Sequence, residues 1–418
     1  MSDFILGIGG SLRSKLRPQE VEAIVSNIKN REMLNYLVEK LSRDQKLSNS
    51  DLCLIIALYG VKEKGLNFRA VNLKKIFREG GKVKGISQFK KLLEDAKGLI
   101  ISSPVYFGDR SSLIDDFIRF AKEHKLFEKK VVGCLSVGAK RNGGQETTNI
   151  YILKEVNDCG AYVVGNGPPT SQYGGTAWAG NIGSLREDEF GIMTSLGTGR
   201  KVAETVLLLQ EPSSYPEKNI KISFWIMQDY IDKLENQIKE IIASLRDKLI
   251  NVEWDVINFT KLKVKRCKAC NICPWDKGKK NGEYKCKIKK DDFAFIYERI
   301  IHTNGIIVSA YYDTDKRAKS VYQKVLERVR QVRRDNFLLT NVPTTSLFMA
   351  DDPTKSEDLF SLKVMTSFLR QNTILFPPLY ISKGLEKDIS KFEKFCRLVS
   401  YNRQFFKKSP QYLPIGYY

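Results

Sequence analysis

Four cysteines within one 20-residue stretch are the residues of this sequence best suited to chemistry. Cys267, Cys270, Cys273 and Cys286 follow the spacing C-x2-C-x2-C-x12-C. Three thiolates at three-residue intervals, followed by a more distant fourth, are typical of iron–sulfur clusters. Zinc sites more often combine two C-x2-C pairs. The spacing therefore favours a [4Fe-4S] cluster, and zinc is the alternative.

Three polar loops in the first half form a second set of chemically suited residues. GGSLR (9–13), SSPVYFGDRSS (102–112) and SVGAKRNGGQETT (136–148) each follow an apolar run. Glycine lets the backbone turn tightly, serine and arginine bond phosphate oxygens, and an aromatic side chain covers a flat ring. One such loop is often a plain turn. Three of them together indicate a ligand site.

Residues 14–47 separate the first loop from the helix that such a loop normally enters. The charged stretch 18–46 reads as one long helical segment that opens at Pro18, a favourable first helical position. Ser48, Asn49 and Ser50 then offer an N-cap and amide groups for an anion. Residues 14–47 are therefore predicted to be a helical insertion.

Strands and helices that alternate along the chain must position these loops. In the first half, strands are predicted at 4–10, 68–73, 98–106, 130–138 and 161–167. Such alternation predicts a parallel sheet covered by helices on both faces, with the site at the carboxyl ends of the strands. The second half repeats the rhythm, with strands predicted at 222–228, 252–259, 305–312, 344–350 and 372–382.

The motifs resemble, in order, those of flavodoxin-like NAD(P)H-dependent FMN reductases and of the iron–sulfur flavoproteins among them. They are GGSLR (9–13), SNS (48–50), SSPVYFGDRSSLIDDFI (102–118) and NGGQETT (142–148), and YGGTAW (173–178) and GTGRKVAETV (197–206) are also similar. The resemblance implies an α/β, doubly wound, flavodoxin-like FMN domain over residues 1–212. The repeated rhythm predicts a second, degenerate flavodoxin-like domain over 213–418, which carries the cysteine segment 261–290.

The resemblance also implies which residues hold FMN. The phosphate would be bound by Ser11, Arg13, Asn49 and Ser50. The isoalloxazine would be lined by Pro104, Val105, Tyr106, Phe107, Gly108, Ser136, Val137, Gly138, Gly143, Gly144 and Gln145. No nucleophile–base pair or general acid stands out, so no catalytic side chain is predicted.

The second half lacks a comparable phosphate loop. MQDYIDKLE takes the place of GGSLR and brings Asp229, Asp232 and Glu235 to the expected phosphate position. Carboxylates repel a phosphate, so FMN is not expected there. By resemblance, the cysteines of iron–sulfur flavoproteins lie between the second strand and the next helix, and here only the second half has them at that point. We therefore expect flavin in the first domain and metal in the second.

The charge of the chain indicates its partners. The net charge is +21, and residues 261–290 hold twelve Lys and Arg against two acids. This field predicts an acidic electron-transfer partner such as a ferredoxin, with nucleic acid as a weaker alternative. A second basic run comprises Arg328, Arg330, Arg333 and Arg334. Charge away from the cysteines is predicted to be solvated surface.

Other features of the sequence favour a cytoplasmic protein. No apolar run approaches the ~18 residues that span a bilayer, so no membrane association is expected. Reduced thiols suit that compartment. The remaining cysteines, Cys53, Cys134, Cys159 and Cys396, stand alone and are predicted to be buried packing residues.

These observations predict an oxidoreductase of the iron–sulfur flavoprotein type. Electrons would pass between a [4Fe-4S] cluster, FMN and an unidentified acceptor, with NAD(P)H as a further source. One alternative is an NAD(P)H-dependent FMN or quinone reductase with a structural zinc. Another is a basic, zinc-stapled protein that binds nucleic acid or an acidic partner. Because family members assemble as dimers, a homo-oligomer is expected, and a tandem chain could reproduce that pairing internally.

Overall fold

The computed structural model forms two compact units, Met1–Leu207 (unit 1) and Leu208–Tyr418 (unit 2). Most of the predicted link between the domains, residues 211–218, lies outside the described residues. The structure describes residues 3–44, 46–77, 85–181, 183–210, 219–270, 272–273, 284–312, 319–334, 337–350, 358–381 and 386–405.

The strands of unit 1 form a parallel sheet with the strand order 2-1-3-4-5. They are β1 (Phe4–Gly9), β2 (Asn67–Asn72), β3 (Gly98–Pro104), β4 (Val131–Gly138), β5 (Tyr162–Val163) and β6 (Gly175–Trp178). β1 lies between β2 and β3, and β4 follows β3. The fifth position is shared, because β5 pairs with the start of β4 and β6 with its end. This is the flavodoxin order, so the predicted α/β, flavodoxin-like fold is confirmed.

Helices connect and cover these strands. They are α1 (Pro18–Asn27), α2 (Arg31–Leu41), α3 (Asn49–Glu63), α4 (Ile86–Asp95), α5 (Ser112–Glu123), α6 (Gln145–Asp158) and α7 (Glu189–Gln210). The segment Ser50–Val61 of α3 is buried throughout, which explains its lack of a polar face. Glycine permits close contact with α7, because a Cβ on Gly199 would lie 1.8 Å from the Ala57 carbonyl oxygen.

The insertion forms two helices rather than the single helical stretch expected from its sequence. The chain turns after α1, and Asn30 caps α2 by accepting the Met33 amide at 2.9 Å. The Glu22 carboxylate of α1 accepts the Ala70 amide of β2 at 2.9 Å. The insertion thus satisfies a backbone donor on the outer strand of this unit, where unpaired strand groups favour aggregation.

Lys62 of α3 forms hydrogen bonds with the end of α1. Its Nζ donates to the carbonyls of Ser26 at 2.6 Å and Ile28 at 2.8 Å, and more weakly to Val25 at 3.4 Å. Hydrogen bonds to a charged group contribute about 1.5–3 kcal/mol, so Lys62→Met should cost α1 about 2 kcal/mol of local stability. Hydrogen exchange of α1 amides should then speed up roughly thirtyfold. The exposed Lys29→Met should leave it unchanged; equal protection in both variants would contradict this role.

Unit 2 repeats the same order. Its strands are β7 (Ile220–Asp229), β8 (Val252–Asn258), β9 (Gly305–Tyr312), β10 (Lys319–Ser320), β11 (Pro343–Ala350), β12 (Ile374–Leu375) and β13 (Leu379–Ile381). β7 lies between β8 and β9, β11 follows β9, and β12 and β13 share the fifth position beside β11. The short β10 pairs antiparallel with the end of β7.

Five helices are described in unit 2. They are α8 (Lys233–Arg246), α9 (Phe293–Ile301), α10 (Tyr322–Arg334), α11 (Asp358–Leu369) and α12 (Glu386–Phe405). Both units also place a short 3-10 turn directly after their second strand, over Leu73–Lys75 and over Phe259–Lys261. Among all the described helices, none has the length and apolar character needed to cross a membrane.

Candidate functional site

The loop after β1 and the start of α3 meet although the insertion separates them in sequence. The Lys15 amide donates to the Lys46 carbonyl at 3.0 Å and closes the base of the insertion. Ser14 accepts a hydrogen bond from the Asn72 side chain at 2.9 Å and also bonds the Asp51 carboxylate of α3. Tertiary contacts therefore bring together the two segments, 9–13 and 48–50, that were predicted to bind a phosphate.

The first turn of α3 is a capped helix N-terminus. Ser48 is the N-cap, and its Oγ accepts the Asp51 amide at 3.1 Å, while the Asp51 carboxylate accepts the Ser48 amide at 3.0 Å. Burial raises the pKa of Asp51, and the bonds from Ser48 act against this shift. Asn49 and Ser50 occupy the first turn, where backbone amides and the helix dipole favour an anion.

Two cationic side chains lie at the first loop. Arg13 is exposed, and its amide donates to the Oγ of the buried Ser11 at 3.3 Å. Lys74, in the 3-10 turn after β2, donates from Nζ to the Leu12 carbonyl at 2.7 Å. Lys74 was missed in the sequence because it lies 62 positions after Leu12, the residue of the first loop that it contacts. Together with the helix dipole, these cations make the loop attractive to a phosphate.

The second loop is bonded to the first. The Gly10 amide donates to the Ser102 carbonyl at 2.9 Å, and Ser111 Oγ donates to the Gly10 carbonyl at 2.7 Å. Ser102 Oγ reaches the Ser50 carbonyl of α3 at 2.8 Å. A Cβ on Gly10 would lie 2.4 Å from the Ile114 side chain, so only glycine fits this position without a shift.

The second and third loops touch each other. The Val105 amide donates to the Val137 carbonyl at 3.0 Å. Gly144 has φ +96° and caps α6, and a Cβ there would lie 2.6 Å from the Gly108 Cα. The predicted ring-lining stretches 104–108 and 143–145 are therefore adjacent at the carboxyl edge of the sheet.

Aromatic side chains at the tip of the second loop face solvent. Tyr106 and Asp109 exchange backbone hydrogen bonds at 2.8 and 3.0 Å, which shapes a tight turn. Phe107 within that turn has φ +52° and is fully exposed, while Tyr106 is 52% exposed. An exposed phenylalanine held in this conformation is suited to cover a ring ligand or to meet a partner.

Gln145 holds the third loop together. Its Nε2 donates to the carbonyls of Lys140 at 2.6 Å and Ala177 at 3.0 Å, and its Oε1 accepts the Gly143 amide at 2.9 Å. Ser136 Oγ donates to the Gln145 carbonyl at 2.8 Å. The side chain of Gln145 is thus occupied by its own loop and by β6, so the loop offers its backbone and glycines to a ligand.

A fourth loop, after β6, contacts the first turn of α3, and none of its residues was among the predicted ligands. Trp178 pairs with Gly138 at the end of β6, and its amide donates to the Asp188 carboxylate at 2.7 Å. Asn49 of α3 donates from its side chain to the Asn181 carbonyl at 3.1 Å. The sequence signal was the YGGTAW motif (173–178), whose apolar part is too short to mark a strand.

The four cysteines of unit 2 lie between its second strand and the following helix, β8 and α9. All four are free and half-buried. Burial raises the pKa of Cys273; Arg334 lowers it, whereas the charges of the other three sulfurs raise it. Cys273 therefore lies within electrostatic range of the other three sulfurs.

Several donors and charges surround these sulfurs. Backbone amides two residues further on donate to Cys267 Sγ (from Ala269) and to Cys286 Sγ (from Ile288), each at 3.4 Å. Arg328 of α10 reaches Cys286 Sγ from Nη2 at 3.7 Å. Amide-to-sulfur bonds of this kind stabilise thiolates, and they tune the reduction potential where an iron–sulfur cluster is bound.

The end of β7 and the start of α8 bring three carboxylates together at the position that the GGSLR loop (9–13) has in unit 1. Ligand oxygens of Asp229, Asp232 and Glu235 lie within 4.8 Å of one another. Lys261 pairs with Asp232 at 3.0 Å and with Glu235 at 2.8 Å. Burial acts to raise the pKa of Glu235, but hydrogen bonds from Lys239, Lys261 and Asn258 outweigh it and lower the pKa to about 2. Lysines thus already pair with two of the three carboxylates.

Comparison with known proteins agrees with this geometry. Residues 5–170 match the family model of NADPH-dependent FMN reductases. An iron–sulfur flavoprotein of Methanocaldococcus jannaschii is 30% identical over 184 residues, which cover 39% of this chain and 93% of that protein. The chain belongs to the FMN reductase family that includes the iron–sulfur flavoproteins. As a member of this family, it is a flavin-dependent oxidoreductase.

For other relatives, the matched region spans a smaller share of the relative's length. An iron–sulfur flavoprotein of Methanosarcina thermophila is 32% identical over 120 residues, 28% of this chain and 59% of that protein. A protein of Caulobacter vibrioides named NAD(P)H dehydrogenase (quinone) is 31% identical over 132 residues, 28% of this chain and 66% of that protein. Among solved structures, a flavone reductase is 17% identical with a TM-score of 0.32, and covers 52% of this chain and 67% of its own.

Proposed function

We propose that this chain is an iron–sulfur flavoprotein-type oxidoreductase. In this proposal, FMN in unit 1 and a [4Fe-4S] cluster in unit 2 exchange electrons with each other and with an acceptor still to be identified. The observation that carries the proposal is the coexistence, in one chain, of two features: three polar loops that contact one another at the carboxyl edge of a flavodoxin-like sheet, and four closely spaced cysteines, of which Cys273 lies within electrostatic range of the other three.

The loops of unit 1 fit FMN. Ser11, Arg13 and the amides of Asn49 and Ser50 would hold the phosphate, and Lys74 adds a second positive charge. Residues 104–108, 136–138 and 143–145 would line the isoalloxazine, where glycines permit close approach of the backbone. Bound flavin converts between two-electron and one-electron transfer, while the protein contributes placement and electrostatics.

Arg13 should contribute strongly to FMN affinity. A charge-assisted hydrogen bond to phosphate contributes about 1.5–3 kcal/mol, so Arg13→Gln should weaken FMN binding about 10- to 100-fold. Titration of flavin-free protein with FMN, followed by quenching of flavin fluorescence, measures the dissociation constant. Arg17→Gln, an exposed arginine paired with Glu20 nearby, is the matched control and should bind FMN normally. Equal affinity in both variants would remove Arg13 from the phosphate site.

The cysteine segment fits an iron–sulfur cluster. Cys267, Cys270 and Cys273 lie at three-residue intervals, and Cys286 supplies the distant fourth thiolate. Amide donors to two of the four sulfurs support negatively charged thiolates, which cluster ligation requires. The segment lies in unit 2, so one chain would hold flavin and cluster in different units.

Unit 2 is proposed to bind no flavin of its own. The carboxylates of Asp229, Asp232 and Glu235 take the place of a phosphate loop, and Lys261 neutralises two of them internally. A phosphate would have to displace that lysine and meet like charge. We therefore expect one FMN per chain rather than two.

An acidic redox protein, such as a ferredoxin, is the proposed partner. Exposed basic side chains accompany the cysteines on both sides of the segment: Lys265, Arg266, Lys268, Lys287, Lys289 and Lys290. A clustered positive field steers an acidic partner toward the metal centre and makes association sensitive to salt.

A second candidate is an NAD(P)H-dependent quinone reductase with a structural zinc at the cysteines. The Caulobacter vibrioides relative, whose name describes that activity, favours it. In this case the metal would only hold the segment folded, and NAD(P)H would reduce the flavin directly.

Anaerobic purification with analysis of iron, acid-labile sulfide, zinc and flavin tests both candidates. We expect about one FMN, four irons and four sulfides per chain, as a single cubane cluster requires. Zinc without sulfide, beside one FMN, would support the reductase instead. A protein that binds neither flavin nor metal would overturn the proposal.

A further inference from the structure

A buried arginine of α10 lies directly behind the cysteine segment. The side chain of Arg328 is 2% exposed and pairs with Asp291, whose side chain is fully buried. Its Nη1 also donates to the Lys265 carbonyl at 3.1 Å. Its Nη2 donates to the Tyr284 hydroxyl and reaches Cys286 Sγ at 3.7 Å. One guanidinium therefore bonds both ends of the segment and one of the four sulfurs.

The neighbouring residue of α10 reaches the first cysteine. The Glu327 carboxylate accepts the Cys267 amide at 3.1 Å. Phe293, the first residue of α9, lies under the Arg328 guanidinium, whose carbon is 4.7 Å from the ring centroid. α10 thus contacts the segment at its first and its last cysteine, through two adjacent side chains.

At the equivalent position, unit 1 has packed aromatic side chains instead of a buried ion pair. Phe77 follows β2, Phe89 lies on α4 and Phe120 lies on α5. The ring centroids of these three side chains are 5.9–6.1 Å apart. These are the positions that the cysteine segment, α9 and α10 occupy in unit 2. Buried ion pairs can often be replaced by apolar residues without loss of stability. The fold itself therefore does not require Arg328 and Asp291, whereas the cysteines do distinguish unit 2.

We propose that Arg328 is a positioning residue for the metal centre, which fixes Cys286 and stabilises the reduced state of the cluster. This inference rests on the proposed cluster. Because Asp291 balances the charge of Arg328, the effect comes mainly from the N–H donor that is aimed at the sulfur. Reduction adds one electron to the cluster and its thiolates, and a donor to sulfur stabilises the more negative state. The reduction potential should therefore be higher with Arg328 than without it.

The decisive variant is Arg328→Lys in the full-length, anaerobically purified protein. Lysine keeps the positive charge beside Asp291, but its three N–H donors share one nitrogen. It therefore lacks the planar fork whose two separate nitrogens reach Asp291 on one side and Tyr284 and Cys286 on the other. We expect the ratio of reduced to oxidised cluster at the wild-type midpoint to fall about tenfold, or ~59 mV for a one-electron centre. Redox titration followed by electron paramagnetic resonance measures this ratio.

Two further proteins keep the test decisive. Arg328→Met combined with Asp291→Asn removes the ion pair as a unit and leaves an acceptor for the Lys265 amide, which now donates to Asp291 at 3.0 Å. It should fold and show the same fall in potential, even if Arg328→Lys alone does not fold. Lys324→Gln, an exposed residue of the same helix, removes one surface charge and should leave the potential unchanged.

The outcomes separate the two proposals. A wild-type protein without iron and sulfide would overturn the cluster and, with it, the role of Arg328. A wild-type cluster whose potential and resonance spectrum are unchanged in both Arg328 variants would make Arg328 a purely structural residue. A lower potential in either folded variant, with Lys324→Gln at the wild-type value, would support the inference.

Discussion

Replacing Cys270 with alanine is expected to remove most of the iron and sulfide while leaving the FMN in place. Alanine has no ligand atom, and Cys270 is the middle member of the closely spaced triplet Cys267, Cys270 and Cys273. A cluster held by three thiolates exposes one iron and is easily lost. FMN should stay at about one per chain because its proposed ligands all belong to unit 1.

Cys159→Ser is the matched control for this substitution. Cys159 is a free cysteine at the end of α6, in the other unit of the chain. Cys53, Cys134 and Cys396 are buried as predicted, but Cys159 is only half-buried because it caps the end of the helix. Its replacement should leave both iron and flavin at wild-type levels. Full iron content in Cys270→Ala would exclude Cys270 as a ligand, and loss of iron in Cys159→Ser would point to general instability.

The same variant distinguishes a redox cluster from a scaffold. If NAD(P)H-dependent flavin reduction continues at the wild-type rate in Cys270→Ala, the metal centre is not needed for that step. If transfer to a ferredoxin-type protein is lost at the same time, the centre carries electrons between flavin and partner. Loss of neither activity would leave the centre a structural role only.

Much of the fold could be predicted because its signals are local. Buried parallel strands appear as short apolar runs, and the run 98–106 gives β3 almost to the residue. Residues 48–50 were predicted to supply an N-cap because polar side chains precede an apolar helix, and Ser48 is that N-cap. The insertion could be bounded for the same reason, since these signals mark where α3 begins.

Features that depend on tertiary contact could not be predicted. The split fifth strand was missed because β5 and β6 are too short to show a period, and each is defined only by pairing with β4. The insertion read as one helix because the turn before α2 lacks glycine or proline. The arginine run 328–334 was predicted to be solvated, yet Arg328 and Arg334 are buried.

Gly144→Ala should reduce FMN affinity more than any other single-methyl change in the proposed ring site. The backbone of Gly144 has φ +96°, and its added Cβ would lie 2.6 Å from the Gly108 Cα. Backbone cannot rotate away as a side chain can, so the second and third loops must separate. A left-handed conformation costs about 1 kcal/mol for alanine, and overpacking adds about 1–3 kcal/mol.

Gly65→Ala isolates the contact from the backbone strain. Gly65 also has a positive φ, +78°, but an added Cβ there would meet nothing within 4 Å. Both variants therefore share the conformational cost, and only Gly144→Ala forces the two loops apart. Flavin titration should show FMN binding at least tenfold weaker in Gly144→Ala, and unchanged in Gly65→Ala. Equal affinity in the two would mean that the contact between Gly144 and Gly108 does not shape the flavin site.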